Sequence, residues 1–144
     1  MDRDGALRAT VGGDRRILVV DDHEDTRLLL KEVLEEEGFR VETAENGVVA
    51  LEVIQSSTFD AVLLDIKMPR MDGLRVCQAL RSAPATASLP VIFVTASADA
   101  GLNAQALKLG ASDLVRTPVS ATEVVRRVRA QLERSSVPQR LSSS

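Results

Sequence analysis

Residues 17–38 read ILVVDDHEDTRLLLKEVLEEEG, and this stretch decides the fold. Residues 17–20 are a short continuous apolar run, as expected of a strand covered on both faces. An acidic turn follows: Asp21, Asp22, His23, Glu24 and Asp25. Over residues 25–37, Leu29, Leu30, Val33 and Leu34 recur at helical spacing and form the expected inward face. Gly38 then supplies a residue able to adopt the left-handed stop conformation.

Working outward, the same alternation repeats. Phe39, Val41 and Thr43 predict a second strand, and 46–55 a second helix with Ala50, Leu51 and Ile54 inward. Residues 61–64 read as a buried strand ending on Asp65, and Met68-Pro69 and Asp72-Gly73 punctuate the loop after it. A short helix over 74–81 precedes a fourth strand at 90–94 that ends on Thr95. A helix of weak propensity spans 99–109, where Gly101 and Asn103 interrupt, and Gly110 stops it. Residues 113–116 form a fifth, less apolar strand. Ser120 to Glu123 read as a capping box opening a last helix, with Val124, Val125, Val128 and Leu132 on one stripe. Strand and helix alternate five times with short connections, which predicts an α/β domain on a parallel sheet with helices on both faces. The body spans 16–134. Residues 1–15 read as a flexible leader, and the Ser-rich 135–144 as a flexible tail or linker.

The chain has 144 residues, a net charge of −3, 44% hydrophobic and 27% charged residues, enough for one domain with a real core. Aromatic residues make up only 2%, with no Tyr or Trp, so the core rests on aliphatic side chains and a base-stacking surface is excluded. Neither this nor the acidic balance suits direct nucleic-acid binding. A single cysteine, Cys77, and a single histidine, His23, exclude a disulfide framework and Cys- or His-clustered metal sites. Cys77 is expected to pack as a small hydrophobe, and His23 to be a surface or first-turn residue rather than a ligand or a phosphohistidine. No apolar run spans a membrane and no signal peptide is visible, so a cytoplasmic setting is expected.

Ligands of such sheets bind beyond the carboxyl ends of the strands. Those ends carry Asp21 and Asp22, Asp65, Thr95, and Thr117-Pro118. If the first, third and fourth strands are neighbours, three carboxylates converge. Their repulsion amounts to a few kcal/mol even at an effective dielectric of ~20, and a divalent cation relieves it. Hard oxygens without Cys or multiple His suit Mg²⁺, beside a carboxylate able to act as a nucleophile toward phosphorus.

The segments ILVVDDHEDTR (17–27), GFRVETAENGVVAL (38–51), FDAVLLDIKMPRMDG (59–73), LPVIFVTA (89–96) and GASDLVRTP (110–118) resemble the receiver domain of bacterial two-component response regulators. The resemblance spans about 15–134 in spacing as well as identity. It implies the flavodoxin-like, chemotaxis-regulator-like fold: a doubly wound five-stranded parallel sheet of order 2-1-3-4-5 with five helices. It also implies roles. Asp65 would be the phosphoacceptor, taking a phosphoryl group from a sensor histidine kinase or phosphotransfer protein. Asp22 and Asp65 would hold Mg²⁺ with the backbone carbonyl of Lys67, and Asp21 would help through water. Thr95 would donate its hydroxyl to the phosphoryl group and carry the switch. A downstream protein target would read the face made by the fourth helix, fifth strand and fifth helix.

Two positions depart from the family. Thr117 stands where the family has a Lys before the proline, and it is too short and uncharged to reach a phosphoryl group as that Lys does. Leu114 stands where the family has its switch Tyr or Phe. Lys67 is either a surrogate cation at the pocket mouth or a solvated loop lysine. These departures leave a phosphorylation-independent pseudo-receiver, acting as an interaction module, as the alternative. A dehalogenase-type phosphatase would need an acid where Lys67 stands, and a dinucleotide-binding fold a Gly-rich turn after the first strand. Val48, Val49 and Val53 are either partly buried or an apolar patch. Arg126, Arg127, Arg129 and Arg134 form either a solvated face or a surface for an acidic partner. The tail is too short for a helix-turn-helix unit, so the chain is expected to be a stand-alone receiver or a fragment of a longer regulator or hybrid kinase.

Overall fold

In the computed structural model, residues 15–136 are described. The elements run β1 (Arg16–Val20), α1 (Glu24–Glu36), β2 (Arg40–Ala44), α2 (Gly47–Ser56), β3 (Ala61–Leu64), α3 (Gly73–Ser82), β4 (Val91–Thr95), α4 (Ala100–Lys108), β5 (Asp113–Arg116) and α5 (Ala121–Ser136). The five strands are parallel in the order β2-β1-β3-β4-β5. The expected leader lies outside the described residues except at Arg15. The expected tail lies outside them except that α5 runs to Ser136.

The continuous apolar runs follow from burial on both faces. Along a strand, successive side chains point to opposite sides. Ile17, Val19, Leu63, Ile92 and Val94 pack under Leu30 and Leu34 of α1 and Val124, Val128 and Leu132 of α5. The intervening Leu18, Val20, Val62, Leu64 and Phe93 pack under Ala50 of α2, Val76 and Cys77 of α3 and Ala106 of α4. Cys77 is fully buried, as expected of a small hydrophobe.

The helices begin and stop for local reasons. Asn46, Asp72 and Asp99 accept the N–H of Val49, Arg75 and Leu102, capping α2, α3 and α4. Gly38 and Gly110 take φ of 97° and 111° after α1 and α4, as expected of their stop role. Ser120 caps α5 by accepting the Glu123 N–H at 3.1 Å, but the Glu123 carboxylate turns to Arg126 and Arg127. The capping half of the expected box is therefore present, while the acid serves ion pairs.

Some side chains depart from the expected faces. Leu29, expected inward, is 58% exposed, and Leu28 beside it is exposed too. A rotation of about 100° per residue carries Leu29 off the stripe that Leu30 and Leu34 define. On α2 only Gly47 and Ala50 are buried; Leu51 and Ile54 are partly exposed at the margin of the core, with Val49 and Val53 alongside. These valines are thus partly buried. The arginines of α5 lie on a solvated face on which three of the four are engaged in ion pairs. Arg127 pairs with Asp113 at 2.8 Å and Glu123 at 2.6 Å, Arg129 with Glu37 at 2.7 Å, and Arg126 with Glu123, while Arg134 is exposed. Among the described residues no helix is long and apolar enough to cross a membrane.

Candidate functional site

All five strands point the same way, so their carboxyl ends share one edge. In register, Val20 pairs with Leu64. Asp21 and Asp65 each follow directly and therefore leave the sheet side by side. The backbone fixes both: the Asp21 N–H donates to the Ala44 carbonyl at 3.2 Å and the Asp65 N–H to the Val20 carbonyl at 3.0 Å.

The loop after Asp65 is pressed back on itself. The Gly73 N–H donates to the Ile66 carbonyl at 2.7 Å, and a Cβ at Gly73 would stand 2.1 Å from the Asp65 carbonyl oxygen. Only glycine permits that approach. Within the loop Arg70 has φ of 71°, and the Met71 N–H donates to the Pro69 carbonyl at 2.8 Å. This is a three-residue turn with a positive φ at its centre, a strained conformation for a residue with a side chain.

Asp21, Asp22, His23 and Asp65 each present a ligating atom within 4.8 Å of the others. The structure thus brings together the three acids expected from the sequence. Like charges at that separation repel by about 3 kcal/mol at an effective dielectric of ~20. The consequence falls on Asp65, whose pKa is raised to about 6. Burial is the first cause, then the charges of Asp21 and Asp22, against the Ile66 N–H and His23. Asp21 is almost wholly buried, whereas one oxygen of Asp22, Oδ1, is buried without a hydrogen-bond partner. A buried, unbonded carboxylate oxygen beside two other acids fits a divalent cation, and an all-carboxylate set is what Mg²⁺ takes.

Sequence reasoning placed His23 on the surface, and its ring is indeed 72% exposed. It missed where that ring lies. The His23 N–H donates to Asp21 Oδ1 at 2.8 Å, and Nδ1 sits 3.3 Å from an oxygen of Asp21 and 3.3 Å from one of Asp22. The bond to Asp21 and the charges of Asp22 and Asp21 hold the ring more basic than an ordinary histidine. The signal was the unbroken run Asp21-Asp22-His23, because an Asp side chain commonly bonds the N–H two residues on. Arg27 was also missed; it donates to the Asp21 carbonyl at 2.8 Å from one turn into α1.

Thr95 is buried at the end of β4, and its hydroxyl oxygen accepts the Ser97 N–H at 3.1 Å. Thr117 follows β5 and donates its N–H to the Thr95 carbonyl at 2.9 Å, just before a cis bond to Pro118. Leu114 is partly buried and pairs with Phe93 in register. Arg116 is exposed. Lys67 is exposed and makes no ion pair among the described residues.

A doubly wound sheet of this order with an acidic cluster at its carboxyl edge defines a class of signalling domain. The profile described as "Response regulator receiver domain" matches residues 17–129. The chain is 42% identical over 121 residues to response regulator MprA of Mycobacterium sp. (strain KMS), covering 84% of this chain and 52% of that protein. It is 39% identical over 123 residues to the transcriptional regulatory protein ResD of Bacillus subtilis, covering 85% and 50%. Among solved structures, a response regulator of Chloroflexus aurantiacus superposes with a TM-score of 0.81 at 32% identity, covering 84% of this chain and 99% of that one. The chain belongs to the response regulator receiver domain family. It spans about half the length of the curated relatives it matches.

Proposed function

We propose that Asp65 is the phosphoacceptor of a two-component phosphorelay in the cytoplasm, charged by a sensor histidine kinase or a phosphotransfer protein. An Asp65 oxygen forms the new bond to phosphorus. The bond from phosphorus to the donor imidazole nitrogen breaks, and its electron pair stays on that nitrogen, which takes up a proton. Asp22, Asp65 and the Lys67 carbonyl would hold Mg²⁺, with Asp21 acting through water. That ion supplies neutralising charge for the acids and the transferring oxygens. Thr95 offers its hydroxyl to the phosphoryl group, turning away from the Ser97 N–H it now accepts. The observation that carries this reading is the meeting of Asp21, Asp22 and Asp65 at one sheet edge, with an unbonded oxygen of Asp22 among them.

The test is intact mass after incubation with acetyl phosphate and Mg²⁺. One phosphoryl adduct is expected, absent in Asp65→Ala. No adduct from acetyl phosphate or any kinase, with partner binding retained by Asp65→Ala, would instead favour the phosphorylation-independent module. Thr117 and Leu114 support that second reading, because neither supplies the cation or the ring of the family pattern. Lys67 offers a cation from the loop side. In Lys67→Ala the adduct should form several-fold more slowly, since one nearby charge contributes about a kcal/mol or more. An unchanged rate would remove Lys67 from the site. The output surface on this reading is the face of α4, β5 and α5, read by a protein target. On this reading the receiver itself makes no direct contact with nucleic acid or with a membrane.

A further inference from the structure

His23 stands outside the acids that the phosphoacceptor reading requires, yet it is placed among them. The bond from its own N–H to Asp21 Oδ1 folds the chain back over that carboxylate. The ring then faces both neighbouring acids, 3.3 Å from each. Its nitrogen belongs to the same four-residue group as Asp65, all within 4.8 Å of one another. Among the described residues the ring has no hydrogen-bond or ion-pair partner other than these acids. Asp22 Oδ1, which the ring faces, is buried and lacks a hydrogen-bond donor.

Three carboxylates alone make a hard oxygen site. An imidazole nitrogen changes the donor set, because Mg²⁺ seldom takes nitrogen whereas Mn²⁺ and Co²⁺ accept it and stand on the series in which affinity rises toward copper. We propose that His23 is an additional ligand of the acidic site and biases it toward Mn²⁺ or Co²⁺ over Mg²⁺. The inference rests on the acidic pocket being a divalent-cation site, and it concerns which ion that pocket selects.

The ring is exposed and caps α1 through no side-chain bond, so His23→Ala leaves the fold intact. The untagged full chain is titrated calorimetrically with Mg²⁺ and with Mn²⁺ at mildly alkaline pH, in parallel with His23→Ala. Mn²⁺ affinity should fall by about tenfold in the variant, on the scale of other losses at metal sites, while Mg²⁺ affinity stays nearly constant. Electron spin-echo modulation of the Mn²⁺ complex should show coupling to an imidazole nitrogen, lost in His23→Ala. The chain has one histidine, so the assignment is unique. A Mn²⁺ complex without that coupling, or an equal preference between the two ions in both proteins, overturns the proposal. If that complex forms without the coupling and Asp65 is still phosphorylated, only the role of His23 falls. If wild type binds neither ion, the cation site and the role of His23 fall together.

Discussion

Asp65 is destabilised in its charged form by burial first and then by the two acids beside it, and that has a measurable sign. Its pKa rises from 3.8 to about 6 on folding. The folded state therefore holds the proton over that window longer than the unfolded state does. Stability falls as pH rises from 3.8 to about 6, and the full penalty stands above that. After discounting for solvent screening, the penalty is about 1–2 kcal/mol. Metal-free Asp65→Asn should accordingly be more stable than wild type by about that amount at neutral pH, with the gain vanishing in acid. Urea unfolding across pH checks it, and a variant no more stable at neutral pH would contradict the electrostatic account. The same residue thus trades stability for a carboxylate poised to receive positive charge.

At the scale of elements, α4 is the least anchored helix: Ala106 is its only buried residue. The turn that follows it is held by Arg81 at the end of α3. The Arg81 guanidinium donates to the Gly110 carbonyl at 3.0 and 2.7 Å and to the Leu89 carbonyl at 2.7 Å. One side chain therefore ties α3 to the loop before β4 and to the turn between α4 and β5. Hydrogen bonds from a charged donor contribute more than neutral ones, so Arg81→Ala should cost about 2–3 kcal/mol by urea unfolding. It should also speed amide exchange in α4 more than in α1. Uniform acceleration across both helices would mean that Arg81 supports the whole fold rather than this segment. On the opposite face, Arg126 and Arg127 hold the Glu123 carboxyl below the usual range, Arg127 foremost. That contribution to stability is present above the ordinary Glu pKa and fades as pH falls through the lowered one.

For the whole molecule, a cation bound at the acidic edge links to folding, because Asp21, Asp22 and Asp65 meet only when β1 and β3 pair. At tenfold excess over its dissociation constant, Mg²⁺ should add about 1.4 kcal/mol, or about 5 °C in thermal midpoint. Asp22→Ala should lose that rise; a rise retained in the variant would place the ion elsewhere. Element types were legible because alternation and helical spacing are local. Residues 61–64 and 113–116 match β3 and β5 to the residue, and the strand-end acids were visible as a list. Strand order and the expected residue roles were instead what the resemblance to the receiver family implies, not something periodicity carries. Three features were not legible. Leu29 faces solvent because helix phase is set by what packs on the sheet. Arg127 and Arg129 of α5 pair with Asp113 and Glu37, which approach them only through the fold. The His23 ring lies against two acids because an Asp21 oxygen takes its N–H. The sequence by itself determined a parallel α/β domain with acids at the strand ends, since periodicity and turn residues act over a few positions. Only the tertiary structure decided which long or exposed side chains meet, since those partners are chosen through space by strand register and helix packing.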